Sequence, residues 1–130
     1  MNIEQLLNLQ KFQRKLNLEL SGVLKRSNYE ITLNEFYVLY FLKKSEGHGL
    51  SISELSQKNG LSISATSRML VKFEQTCGVI ERHPGEDKRS VMITLTPKGE
   101  EYLTESLTSV EAILQNYTLT FGILEKELHL

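Results

Sequence analysis

The sequence predicts a mainly α-helical fold with one small β-hairpin, and three observations carry that prediction. Apolar residues recur at helical spacing near both ends of the chain. Two short helical segments separated by Gly60 lie between Ser51 and Gly78, each opened by a serine in a capping position. Two β-rich runs follow at once, joined by a charged loop that contains Pro84-Gly85.

Residues 3–27 form one long helical pattern, in which Leu6, Leu9, Phe12, Leu16, Leu20, Val23 and Leu24 make an apolar stripe. Lys11, Arg14, Lys15, Lys25 and Arg26 occupy the other faces. A helix of this length is long for a small domain, so part of its stripe is expected to meet another subunit. Asn28-Tyr29-Glu30 reads as a break. Thr32 and Glu35 stand at capping-box spacing and open a helix to about Lys44. Phe36, Val38, Leu39, Phe41 and Leu42 make that helix apolar on more than one side, as a buried scaffold helix requires. Gly47-His48-Gly49 is a loop, and Leu50-Ser51-Ile52 is placed as a short third strand beside the hairpin.

Ser51 and Glu54 make a second capping-box spacing, and Gly60 is the left-handed stop of the short helix between them. Ser62 caps the next helix, whose core face is Thr66, Leu70, Phe73 and Cys77 and which Gly78 ends. Val79–His83 and Val91–Leu95 read as strands, with residues 83–90 as the tip between them. Thr96 caps the following helix and Pro97 takes its first position, where a missing N–H does no harm. Leu103, Leu107, Val110, Leu114 and Tyr117 form its stripe, and residues 118–130 give a last short helix carrying Phe121, Leu124 and Leu128.

Two helices joined by a Gly-containing turn and followed by a hairpin describe a winged helix-turn-helix, an arrangement that points to DNA. Opposite the core face of the second helix lie Ser64, Ala65, Arg68 and Lys72, with Ser62 and Ser67 at the flanks. Small hydroxylated residues let a helix press close to base edges, and Arg68 is long enough to reach a guanine or a phosphate. Lys88 and Arg89 on the hairpin tip add two cations beside it.

Three groups of residues resemble the multiple-antibiotic-resistance regulator (MarR) family of bacterial winged-helix repressors. They are Thr66-Ser67-Arg68-Met69-Leu70 in the second helix, Asp87-x-Arg89 in the wing, and Leu95-Thr96-Pro97-Lys98-Gly99 after it. The wing pattern followed by L-T-x-x-G is the specific part, and the resemblance extends more loosely over nearly the whole chain. One departure is the junction Glu74-Gln75-Thr76-Cys77-Gly78, about one residue longer than the family's, which bears on the angle between helix and wing. The resemblance implies a single domain over residues 1–130. In it residues 31–99 form the DNA-binding part, while residues 1–30 and 100–130 supply helices that interlock into a homodimer. It further implies that Asp87 directs Arg89 toward a minor groove. It also implies a cleft that holds a small lipophilic or anionic effector, which Tyr29, Phe36, Tyr37, Tyr40 and Tyr102 are candidates to line.

Composition bounds the alternatives. Hydrophobic residues at 40% and charged residues at 24% fit a soluble globular protein. No apolar run approaches the roughly 20 residues needed to span a bilayer, and no signal segment opens the chain, so a cytoplasmic protein with no membrane partner is expected. One cysteine agrees with a reducing compartment. The net charge of −1 gives no global basic field, but residues 1–50 and 51–99 each carry +2 while residues 100–130 carry −5. A mildly basic head with an acidic tail suits a DNA reader. The modest net charge is the sole support for a competing class, a winged-helix module that binds protein instead. His48, His83 and His129 have no metal spacing with each other or with Cys77, so no metal, no cofactor and no enzymatic activity are expected. A thiol switch at Cys77 is a further alternative, which its place at a helix C-terminus disfavours because the helix dipole opposes thiolate there. The sequence therefore reads as a homodimeric transcription repressor on a pseudo-palindromic double-stranded operator.

Overall fold

A computed structural model describes residues 1–87 and 90–128; Lys88, Arg89, His129 and Leu130 lie outside the described residues. The elements run α1 (Ile3–Lys25), α2 (Leu33–Lys44), α3 (Ile52–Asn59), α4 (Ile63–Lys72), a π turn (Phe73–Cys77), β1 (Ile80–Pro84), β2 (Val91–Leu95), α5 (Pro97–Gln115) and α6 (Thr118–Leu128). The chain divides into two compact units, one of Met1–Leu33 with Ser106–Leu130 and one of Asn34–Glu105. No helix of the described residues is long and apolar enough to cross a membrane.

In the first unit α1 begins on a reciprocal cap: the Asn2 side chain accepts from the Gln5 N–H at 2.8 Å, and the Asn2 N–H donates to Gln5 Oε1 at 2.9 Å. The helix ends at Lys25, two residues before the sequence pattern places its stop. Leu20 and Leu24 of α1, Ile31 and Val110 of α5 are buried. Phe12 and Tyr117 meet edge to face with centroids 5.6 Å apart. The Glu19 carboxylate, hydrogen-bonded to the Tyr117 hydroxyl, pushes that phenol up to about 12. Both contacts tie α1 to the turn between α5 and α6. Ile3, Leu6, Leu7, Leu18, Leu114, Leu119, Phe121 and Ile123 remain exposed.

In the second unit the α2 residues Phe36, Val38, Leu39 and Leu42 are buried, as the two-sided apolar pattern of that helix requires. Leu55, Leu70, Phe73, Val79, Ile80 and Ile93 complete a core drawn from every element between α3 and β2. β1 and β2 pair antiparallel from Ile80↔Leu95 to Pro84↔Val91. The expected third strand reduces to a single bridge, in which Leu50 and Ile93 exchange N–H···O bonds of 3.0 and 2.8 Å.

The segment Leu95-Thr96-Pro97-Lys98-Gly99 is the fastening of this unit. Thr96 Oγ1 donates to the Gly78 carbonyl at 2.7 Å and accepts from the Gly99 N–H at 3.1 Å, while the Thr96 N–H donates to the Val79 carbonyl at 3.1 Å. One residue thus caps α5 and pins its start to the foot of β1. Gly99 packs so closely that a Cβ there would collide with the Val79 carbonyl oxygen. A Cβ at Gly122, within α6, meets nothing within 4 Å. Gly99→Ala is expected to destabilise by about 1–3 kcal/mol through overpacking. Gly122→Ala is expected to stabilise by about 0.5–1 kcal/mol, since alanine is the better helix former. Urea unfolding of both variants checks that one chemical change has opposite signs at the two sites.

Candidate nucleic-acid interface

The geometry of the helix pair follows from local capping. Ser51 and Glu54 form the expected box, with N···O distances of 3.1 and 3.2 Å. Gly60 ends α3 at φ +73°, in the left-handed region that a residue with a Cβ rarely adopts. Ser56 Oγ donates to the Leu61 carbonyl at 2.6 Å and stitches the turn. Ser62 Oγ then accepts from the Ala65 N–H at 3.1 Å and starts α4.

With its start fixed, α4 sorts its residues by face. Thr66 and Leu70 are buried, Ala65 and Ser67 are half-buried, and Ser64, Arg68 and Lys72 are exposed. The structure therefore brings Ser64, Arg68 and Lys72 onto one outward row, at i, i+4 and i+8. The hydroxyl of Ser62 is engaged as the cap. Two apolar residues that the sequence reading leaves out share this surface: Ile63, 58% exposed, and Val71, 41% exposed. Their spacing with Ser67, again i, i+4 and i+8, is the signal that identifies them as a second outward row.

Lys72 is not a free cation. Its Nζ donates to Glu35 Oε2 at 2.7 Å, and that hydrogen bond holds the Lys72 ammonium above the usual lysine range. Glu35, read from the sequence as a capping carboxylate, is a buried residue of α2.

The end of α4 departs from the sequence expectation of one helical face running to Cys77. The α-helix stops at Lys72, and Phe73–Cys77 makes a π turn in which the Gly78 N–H donates to the Phe73 carbonyl. The Val79 N–H donates to the same carbonyl at 3.1 Å. A π turn holds one residue more than an α turn, and Phe73 and Val79 on either side of its end are both buried. An ion pair between Arg82 of β1 and Glu74 of the turn ties the wing to this junction. Cys77 is a half-buried free thiol at the end of the turn.

At the wing tip the Ser90 N–H and Oγ both donate to the Asp87 carbonyl at 2.9 Å, and the Gly85 N–H donates to the Ser90 carbonyl at 2.9 Å. Asp87 is exposed. The two wing cations predicted to meet DNA, Lys88 and Arg89, fall outside the described residues. His83 bonds Thr94 Oγ1 at 2.9 Å across the strands. No group of three His, Cys, Asp or Glu among the described residues could hold a metal ion.

The effector candidates take separate positions. Phe36 and Tyr102 are buried, Tyr37 is half-buried with its phenol pushed up by burial, and Tyr40 is exposed beneath the Lys44 ammonium at 5.7 Å. Phe36 and Tyr37 stand 6.1 Å apart. Tyr29 belongs to the other unit and is half-buried. Two open pockets of about 840 and 400 Å³ in the second unit are lined by the α2–α3 loop, the wing and the end of α2, not by these aromatics.

Comparison with known proteins gives a consistent result. A model described as the MarR family matches residues 29–90. The HTH-type transcriptional regulator TcaR of Staphylococcus aureus is 34% identical over 114 residues, covering 85% of this chain and 74% of TcaR. The HTH-type transcriptional repressor MdtR of Bacillus subtilis is 29% identical over 112 residues, covering 85% and 69%. The crystal structure of the S. aureus MepR–DNA complex shares the fold with a TM-score of 0.76 at 15% identity, over 93% of this chain and 91% of that one.

The two serines at the start of α4 separate by role. Ser62→Ala removes the cap and is expected to cost about 1 kcal/mol of stability. Ser64→Ala, at an exposed position, should stay within about 0.5 kcal/mol of the parent. Urea melts of the two variants check the assignment.

Proposed function

The chain belongs to the MarR family, and from that premise we propose that it is a sequence-specific DNA-binding transcription regulator that acts as a homodimeric repressor. The observation that carries this reading is the outward face of α4, which presents Ser64 and Arg68 to solvent while Thr66 and Leu70 hold the helix in the core. Ser62, Ala65 and Ser67 flank that face and allow close approach to base edges; Lys72 shares it with its ammonium bound to Glu35. Arg68 is the long donor for a guanine edge or a phosphate. The names of TcaR and MdtR, and the DNA in the MepR complex, favour the same function.

In this reading each α4 enters a major groove, and each wing, carrying Lys88, lies over the backbone and reaches the adjacent minor groove with Arg89. The Asp87 carboxylate accepts from the Arg89 guanidinium and aims it. The dimer is favoured by the exposed apolar side chains of α1 and α6, which are too many to be the scattered singles of an ordinary surface. Residues 1–30 and 100–130 then form the dimerising part and residues 31–99 the reading part of one domain. The heads stand about one helical turn apart on a pseudo-palindrome. A small lipophilic or anionic effector releases the repressor, with Tyr40 as the exposed one of the five aromatic candidates. The protein works in the cytoplasm as a binding protein, without cofactor or catalysis.

A mobility shift with genomic fragments, titrated with salt, tests the reading. Arg68→Ala should lose about 1–3 kcal/mol of specific binding with the fold intact. Arg89→Ala should flatten the log–log salt dependence by about one unit for each phosphate that a subunit no longer neutralises. Operator affinity equal to the parent in both variants would remove α4 and the wing from the interface. Light scattering at micromolar concentration should give the dimer mass, and a monomer with full helicity would refute the assembly.

A further inference from the structure

We infer that Glu35 withholds the Lys72 ammonium from DNA phosphate, and so acts as a positioning residue that sets the specificity of the reading head; this rests on the DNA-binding reading above. Lys72 stands on the outward row of α4 behind Ser64 and Arg68, and 52% of its side chain is exposed. The sequence reading counts it among the DNA-facing residues. Its charged end is nonetheless committed inward, 2.7 Å from a carboxylate whose side chain is 4% exposed.

The asymmetry of burial decides which anion wins. A phosphate on the duplex surface attracts an ammonium through water and salt, and that attraction weakens within about 10 Å at ordinary ionic strength. The Glu35 carboxylate is withdrawn from nearly all of its water, so a departing Lys72 would leave a desolvated charge without this counter-charge. The exchange therefore favours the internal pair. The Lys43–Glu100 pair, with side chains 57% and 54% exposed, lacks this asymmetry and carries no such commitment.

The functional consequence concerns unwanted DNA. Non-specific affinity is almost wholly the electrostatic sum of phosphate contacts, whereas base reading depends on placed donors such as Arg68. Holding back one cation per subunit lowers binding to arbitrary sequence more than binding to the operator, and widens the ratio between them. The same bond fixes the last residue of α4 to α2, immediately before the π turn.

The test measures salt dependence on a random-sequence duplex with the intact chain and three variants. Glu35→Gln keeps the side-chain volume but removes the charge that holds Lys72. It should steepen the log–log slope by about 0.9 per subunit, the value of one more neutralised phosphate, and bind the random duplex several-fold more tightly at low salt. Lys72→Gln, whose amide can still donate to Glu35, should keep the parent slope. The double variant should abolish the increase seen in Glu35→Gln. A slope that falls by about 0.9 per subunit in Lys72→Gln alone would show the ammonium already on phosphate and overturn the inference. An unaltered slope in Glu35→Gln would overturn it equally. If Glu35→Gln does not fold, the single Lys72→Gln measurement decides. A parent protein that binds no duplex overturns the DNA reading itself, a result distinct from binding with unaltered slopes.

Discussion

At the foot of the wing the carbonyls of Gly78 and Val79 both turn toward Thr96, which takes one through its hydroxyl and the other through its N–H. The rest of the reading unit depends on this junction. It closes the hairpin where β1 begins, and it starts α5 where β2 ends. Through Phe73, whose own carbonyl receives the Gly78 and Val79 N–H groups, it also fixes the far end of α4. Gly99 makes the arrangement sterically admissible because the helix start lies against the Val79 carbonyl. Opening the junction would strip these backbone groups of their partners, at most cost where the residue is buried, as Phe73 and Val79 are.

On this frame charge is organised by place and not by total. Two ion pairs flank the π turn, Lys72 with Glu35 on the side of α4 and Arg82 with Glu74 on the side of the wing. They do different physical work. The first neutralises a carboxylate withdrawn from water, so bulk salt screens it less; the second is partly exposed and adds little to stability. Arg68 is left on the outward face, and residues 51–99 sum to +2 while residues 100–130 sum to −5. A chain of net charge −1 thereby keeps a local surface of the opposite sign.

Much of this fold is legible in the sequence because it is written in local chemistry. Ser51 with Glu54, Gly60, Ser62, and Thr96 before Pro97 each announce a cap or a stop within four residues, and each forms as read. The buried set on α4 follows from period alone. What escapes local reading is whatever depends on a distant partner. Glu35 and Lys72 are 37 positions apart, and at its own position Glu35 carries the pattern of a capping carboxylate. Ile63 and Val71 are apolar residues that period assigns to the outside, against the expectation from their chemistry. A π turn leaves no signature distinct from the end of an α-helix, so the sequence reads one helical face to Cys77 where the structure changes pitch at Phe73. The roles of Lys88, Arg89 and the effector-lining aromatics stay proposals, since they depend on a bound partner.

The π turn has a consequence for comparing this chain with its relatives. A turn that holds one residue more than an α turn leaves Phe73 and Val79 buried on either side of it. Positional equivalence should therefore be anchored on those two side chains, with any gap opened between them. Against a relative whose junction is an ordinary α turn, numbering carried forward from the start of α4 without a gap would slip the wing by one place. In a strand such a slip swaps inward for outward side chains, so Ile93 would be matched to a surface residue and its neighbours to the core.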